Sequence, residues 1–447
     1  MPISTSPSHN WTRHWARRGL VSPVPACSPG RALRALRVIA WNGVSLLAAA
    51  GSACARPQPV TPGTEPELRI GLAAGAPGVT LGGDGELFVS DDSNGEPLGS
   101  IPVGTTWTVL VDTPGVRLVK PDGSRVERRL GISAVNVTEG RFAMANGRRY
   151  RGRVNVIRDP AGLTLMDRVP VESYLAGVIG GEMGPRRRDE RQALLAQAVV
   201  SRTFALKNRG RWEGQGFDAW ADVRDQVYTG VAGETGEVWD ALRATRGEVV
   251  WYGDALIEAY FHSTCGSRTT GAEEAFRTAR GRPYLRSVSD ESGGGHAYCD
   301  ISPRFRWREE WDAATLRAIL SRTLPAVMNV GGGGLQRITD VAVTGTTPSG
   351  RVGELRIAFE HGDVRVPGSD VRAVLRPRPD QLLGSAAFQL SVTKDGGQVT
   401  RVIAAGAGWG HGVGLCQWGA VGRARAGQDY RTILTTYFPG THVERLY

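Results

Sequence analysis

The chain has 447 residues, 41% of them hydrophobic and 22% charged, which suits two or three compact units and excludes a wholly disordered protein. Its formal net charge of +10 looks like a nucleic-acid signal, but residues 1–55 hold six arginines and no acid, and without them the balance falls to +4. Apart from Arg186 to Arg188, no basic cluster with interleaved aromatics stands out in the remainder, so no nucleic-acid partner is expected.

Residues 1–55 read as an export signal. Arg31, Arg34 and Arg37 form a basic region, and an apolar stretch from Val38 to Ala50 follows. That stretch is short for a membrane span and ends in small residues, Gly51-Ser52-Ala53-Cys54-Ala55. Two endings compete. Ala53-Cys54-Ala55 is an ordinary cleavage site, whereas lipid on Cys54 would attach the chain to a membrane, with Gly51 where a lipobox has Leu. Either way the chain is exported to the cell envelope or periplasm. Residues 56–66 are a Pro-rich linker.

Residues 67–170 read as short strands split by turn signals: LRIGLA, ELFVS, TWTVLVD, VRLVK, RRYRGRVNVI and LTLMDRV. Residues 171–330 form an α+β part. Val171 to Arg209 is a helix, a Gly-Pro break and a second, Ala-rich helix; Val249 to Thr264 is strand, turn, strand; Trp311 to Leu324 is a further helix. Residues 331–447 return to strands, with a Gly-rich run from Gly406 to Gly419 and a short closing helix from Arg431 to Phe438. The fold class is α+β, a helical catalytic heart between β-rich segments.

Glu182 is the first candidate for chemistry. Tyr174, Val178 and Glu182 fall at i, i+4 and i+8 and share a helix face. An acid at the mouth of a helix pair is half withdrawn from water, which favours its protonated form and suits a general acid/base. The competing reading is a helix-terminal acid capped by a nearby Arg. Gln197 and Arg202 lie on the second helix, whose small residues allow close approach. Asp222 or Asp225 is a further acid that could partner Glu182, and the plainer reading is a solvated turn.

His262-x-x-Cys265 and His296-x-x-Cys299 each pair one His with one Cys at i, i+3, a zinc-ligand spacing. Four such ligands would close a tetrahedral, structural zinc site and pin the loop between them. A Cys265–Cys299 disulfide competes with it, favoured by export. So does a three-ligand site that keeps a catalytic water. With Cys27 and Cys54 in the leader, Cys265, Cys299 and Cys416 remain, an odd number that does not suggest a disulfide framework.

In the Gly-rich run, Trp409 and Trp418 offer flat faces of the kind that stack on sugar rings, and His411 and Gln417 are polar partners. A tight buried turn with a satisfied His explains the run equally well.

Together these segments resemble the SpoIID/LytB family of cell-wall proteins. The family signature E-x-Y-L-x-G-V-x-x-x-E-M-P is matched by Glu172, Tyr174, Leu175, Gly177, Val178, Glu182 and Met183, with the Pro displaced to Pro185 by Gly184. The following A-L-x-A-Q-A-x-x-x-R-T is matched by Ala193, Leu194, Ala196, Gln197, Ala198, Arg202 and Thr203. Gln226-Val227-Tyr228-x-Gly230 and His262-Ser263 match, as does the closing G-x-G-H-G-V-G-x-x-Q-x-G-A run, with Cys416 where Ser is usual. The resemblance spans roughly Leu68 to Phe438.

It implies a lytic transglycosylase acting on peptidoglycan glycan strands. Glu182 would be its catalytic acid, and Tyr174, Gln197, Arg202, Gln226, Tyr228, Trp409, His411 and Gln417 its binding surface. It also implies zinc near the His262 and His296 pairs, as in some members. A second implied reading is a non-catalytic wall-binding protein that enhances an N-acetylmuramoyl-L-alanine amidase. A zinc hydrolase is a third.

Overall fold

The computed structural model describes residues 63–126, 128–328, 330 and 337–447. The expected export signal, Cys54 and residues 56–62 of the linker lie outside the described residues. The described chain is α+β. Its helices are α1 (Val171–Met183), α2 (Arg191–Lys207), α3 (Gly236–Ala244), α4 (Ala272–Ala275), α5 (Ala313–Met328), α6 (Val371–Val374), α7 (Gln417–Arg425) and α8 (Tyr430–Tyr437).

Alternating strands build the larger core. In Thr106–Asp112 and Arg153–Asp159 the buried side chains Trp107, Val109, Val154 and Val156 recur at period two, so one face of each strand packs inward. These strands belong to a five-stranded and a seven-stranded sheet, the latter centred on Glu67–Ala76, Gly162–Pro170 and Arg153–Asp159. Pro170 ends the last strand of this set and opens α1 at once, its fixed φ suiting a helix entry. α2 is buried along almost its whole length, from Ala193 to Leu206, and it contacts α1, α3, α7 and α8. It is the central helix of the first core.

A second core lies between Arg306 and Ala407. Two three-stranded sheets, Arg306–Asp312 with Gln398–Ala407 and Phe388–Asp395, and Ile338–Thr346 with Val352–Phe359 and Gly362–Pro367, enclose it with α5 and α6. Residues 408–447 return to the first core through Val413, Leu415, Ile433 and Phe438. Trp311, expected to start a helix, instead pairs with Val402 in a strand, and α5 starts at Ala313. Its indole is buried in the second core, which the pairing fixes.

A wholly buried ion pair locks α1 to α2. Arg202 donates Nε to Glu172 Oε1 at 2.9 Å and Nη2 to Oε2 at 2.7 Å, a bidentate fork. Its Nη1 reaches the Glu248 carbonyl at 3.0 Å, and Tyr447 Oη and the Gly247 N–H also donate to Glu172. Arg202→Met leaves that carboxylate buried without its cation. We expect a loss of about 3–5 kcal/mol in denaturant unfolding. A loss under about 1 kcal/mol would show that the pair contributes little.

Candidate functional site

Glu182 stands in the last turn of α1. The helix stops there because Gly184 takes φ +64°, which side chains rarely adopt, and Pro185 cannot continue it. α1 also needs its glycines. A Cβ at Gly180 would overlap the Gly233 carbonyl oxygen, and one at Gly177 would meet Tyr228 and the Gly230 carbonyl. With only hydrogens there, residues 226–233 press against the helix.

That approach brings Val227 to the acid. The Val227 N–H donates to Glu182 Oε1 at 3.3 Å, and Gln417 Nε2 donates to Oε2 at 3.4 Å. Both donors are uncharged. Among the described residues Glu182 has no ion pair. It is half-buried. Burial raises its pKa above the ordinary glutamate value, while Val227 and Gln417 pull the other way. The negative end of α1 disfavours the carboxylate further. The competing assignment, an acid capped by a nearby Arg, describes Glu190 instead: its carboxylate accepts from Arg425 Nε at 3.0 Å and faces Arg186.

The neighbours of Glu182 hold Val227 in place. Tyr174 Oη donates to Gln226 Oε1 at 3.2 Å, and Tyr228 Oη donates to Asp167 Oδ2 at 2.8 Å. Burial raises the Asp167 carboxyl to about 7, against the pull of Tyr228. Asp225 is committed to Trp212 Nε1, the Trp220 N–H and Arg211, and Asp222 to Arg224. Neither acid partners Glu182.

Gln417 arrives through the Gly-rich run. Leu415–Cys416 pairs in parallel with Phe261–His262, and α7 begins at the next residue. Trp418 follows, half-buried, its ring 4.8 Å from the Arg186 guanidinium. Trp409 exchanges backbone hydrogen bonds with Thr264 and lies under Arg304 at 4.5 Å; among the described residues no hydrogen bond joins it to Glu182.

One residue before Gln417 lies a second cluster. Cys265, Asp290, Cys299 and Cys416 are all buried, with one ligand atom from each within 4.8 Å of the others, an arrangement that could hold a metal ion. Cys265 Sγ is 3.5 Å from Cys299 Sγ and 3.4 Å from Asp290 Oδ2. Bonds of about 2.3 Å at tetrahedral angles set sulfurs roughly 3.8 Å apart, close to the spacing observed. Tyr437 Oη and Arg423 Nε donate to Asp290 Oδ1, at 2.5 and 3.2 Å, which turns Oδ2 toward the thiols. The three cysteines are free thiols, not the Cys265–Cys299 disulfide that export favoured.

The structure thus changes the ligand set. His296 is exposed and bonds Asp300 Oδ2 at 3.0 Å, because its hairpin, Glu291–Gly293 with His296–Ala297, turns it outward. His262 is buried, but its Nδ1 donates to the Val413 carbonyl at 3.1 Å, and it stands outside the four-residue group. Burial holds both His262 and His411 neutral, His411 at about 3. Asp290 and Cys416 are the members that sequence reasoning missed. An acid with no partner motif gave no signal, and Cys416 read as part of the Gly-rich run.

The expected binding surface is also corrected. Tyr174, Gln197, Arg202, Gln226 and Tyr228 are all buried, 0–4% exposed, so they pack and position rather than meet a ligand directly. Gln197 donates to Ser201 Oγ at 3.0 Å. Of the expected set only Gln417 hydrogen-bonds Glu182 among the described residues; Trp409 and His411 are placed elsewhere in the run.

Residues 160–252 match the SpoIID family model, described as stage II sporulation protein, a span that includes Glu182 and Val227. Residues 296–414 match a second model, described as a domain of unknown function (DUF8618), which covers the second core. An uncharacterized protein of Brachyspira hyodysenteriae is 30% identical over 71% of this chain and 81% of its own length. Stage II sporulation protein D of Bacillus subtilis is 28% identical over 62% and 75%. An amidase enhancer of the same organism is 26% identical over 60% of this chain and 40% of its own length.

Gly419, two residues after Gln417, packs directly against the cysteine cluster. A Cβ there would overlap Tyr437 Oη and lie 2.5 Å from Asp290 Oδ2. Gly419→Ala is expected to cost about 1–3 kcal/mol by overpacking and to raise the reactivity of the three thiols toward a maleimide. Wild-type stability together with unchanged thiol reactivity would contradict this packing.

Proposed function

Because the chain belongs to the SpoIID family, we propose that it acts on the cell wall as a lytic transglycosylase of peptidoglycan glycan strands. The observation that carries this reading is a half-buried carboxyl with a raised pKa, held by two neutral donors and by no cation among the described residues. Such a group can hold a proton near neutral pH and release it to a reacting oxygen. Protonated Glu182 gives its proton to the glycosidic oxygen between MurNAc and GlcNAc. As carboxylate it then takes the proton of the sugar's own C6 hydroxyl, and that oxygen closes a 1,6-anhydro ring at C1. An internal nucleophile lets one carboxylate suffice, where most glycosidases need two. Trp418, next to Gln417 in α7, is half-buried with the Arg186 guanidinium over its ring. Acting on the wall requires export, which fits the export signal read in residues 1–55.

We propose that the Cys265, Asp290, Cys299 and Cys416 group holds zinc. Three thiolates and a carboxylate suit that ion, and four protein donors leave it no open position. Bound there, zinc would supply structural cross-linking, fixing Cys416 and so the start of α7 that presents Gln417. The second reading, an enhancer of an N-acetylmuramoyl-L-alanine amidase without cleavage of its own, is favoured by the likeness to the amidase enhancer.

Digestion of purified glycan strands with mass analysis tests the first reading. Wild type should release 1,6-anhydro-MurNAc ends, and Glu182→Gln should lower that rate by at least about a hundredfold. Reducing ends would exclude the anhydro mechanism, and no product at all would favour the enhancer. Because the acid form is required, kcat/KM should fall as pH rises through the raised Glu182 value. Metal analysis should find one zinc per chain, lost in Cys416→Ala and kept in His296→Ala. The reverse pattern, or an oxidised Cys265–Cys299 pair without metal, would overturn the ligand set.

A further inference from the structure

The seam between the two cores holds a cavity of about 130 Å³. Ala275, the last residue of α4, and Phe276 form one wall, the second core supplies Arg372 and Leu382 opposite, and His411 lies at its edge. A cavity of this order accepts a group of about five or six heavy atoms, since one of about 150 Å³ holds benzene.

The charges on its walls are unequal. Glu274 and Arg351 are both committed. Glu274 accepts from the Ser349 hydroxyl at 2.6 Å, and Arg351 Nη2 donates to the Cys265 and Arg268 carbonyls at 3.1 and 2.9 Å. Arg372 is different. Its Nε donates to the Leu383 carbonyl at 2.8 Å, while among the described residues its two terminal nitrogens have neither hydrogen bond nor ion pair. Burial draws its pKa down to about 10, with no carboxylate to offset the loss of water. Arg372 is half-buried, and a guanidinium edge with no protein partner at a cavity wall is free to meet an anion. His411 offers no competing charge, for its Nδ1 accepts the Val413 N–H at 3.0 Å and burial keeps the ring neutral.

We propose that this seam is a second binding site, distinct from Glu182, which takes a carboxylate on the free edge of Arg372 with a small apolar group against Phe276 and Leu382. A planar guanidinium pairs with a carboxylate through two parallel N–H···O bonds. Two wall groups have this chemistry: the lactyl side chain of N-acetylmuramic acid and the C-terminal carboxylate of a stem peptide. Naming wall carboxylates rests on the proposed function, whereas the preference for a carboxylate does not.

Calorimetric titration of the full chain tests it without any turnover, so failure of glycan cleavage and failure of this site read separately. The ligands are N-acetylmuramic acid, its uncharged methyl ester and D-alanyl-D-alanine. One of the two acids should bind, and the stronger identifies the source. Arg372→Gln should weaken that acid at least about tenfold, and Arg372→Lys, which keeps the charge and loses the fork, by less. Within wild type alone, the ester should bind at least about tenfold more weakly than N-acetylmuramic acid if the lactyl group is the source. Binding of neither acid, or equal binding to wild type and Arg372→Gln, would overturn the proposal. If that variant fails to fold and N-acetylmuramic acid is the stronger ligand, equal binding of its ester overturns it; if D-alanyl-D-alanine is the stronger, equal binding of its C-terminal amide does.

Discussion

Two hydrogen bonds to one carboxyl, both from uncharged donors, are what the architecture is arranged to make. The Val227 N–H is 45 residues from Glu182 in sequence and the Gln417 side chain 235 residues away. Bringing them together requires α1 to end at a glycine, a loop to press on bare helix backbone, and the end of the chain to return past the whole second core. The choice of donor matters as much as the distance. An arginine in either place would favour the carboxylate of Glu182; the arginine contact goes instead to Glu190, a few residues on. Neutral donors orient the carboxyl while leaving burial free to raise its pKa.

Around that centre the charged groups are spent on scaffolding. The buried Glu172–Arg202 pair sets the spacing of α1 and α2 and reaches Tyr447 at the end of the chain. Arg425 and Glu190 join α7 to the residues just before α2. Asp290, Cys265, Cys299 and Cys416 gather at the N-cap of α7, whose next residue is Gln417. Each of these contacts acts on the same quantity, the position of the Gln417 amide relative to Glu182. The second core contributes differently. It leaves the first core at Arg306 and rejoins it after Ala407, and its seam with α4 is where Arg372 keeps its free edge.

Much of the fold was legible from periodicity. The alternating strands of residues 67–170, the helix pair and the closing helix all follow from apolar spacing, and the prominence of Glu182 followed from its place at the end of such a run. What periodicity does not carry is partnership across long separations. Arg202 was expected on the binding surface through the family resemblance; its partner is Glu172, thirty residues earlier. The paired His-x-x-Cys spacings suggested a closed set of four. The real neighbours of Cys265 and Cys299 come from a loop acid and from Cys416, while the hairpin turns His296 outward. Trp311 was misplaced because an apolar residue before a helix and one in a paired strand look alike until the partner, Val402, is known.

The acid role of Glu182 depends on its protonation state in the folded chain. Titration of Glu182 in the folded wild-type chain, followed through its side-chain carboxyl carbon by NMR, measures that state directly. Its midpoint should lie clearly above the ordinary glutamate value of about 4.3. A midpoint at or below that value would mean that solvent or a cation holds the carboxylate, and the acid role assigned to Glu182 would be wrong.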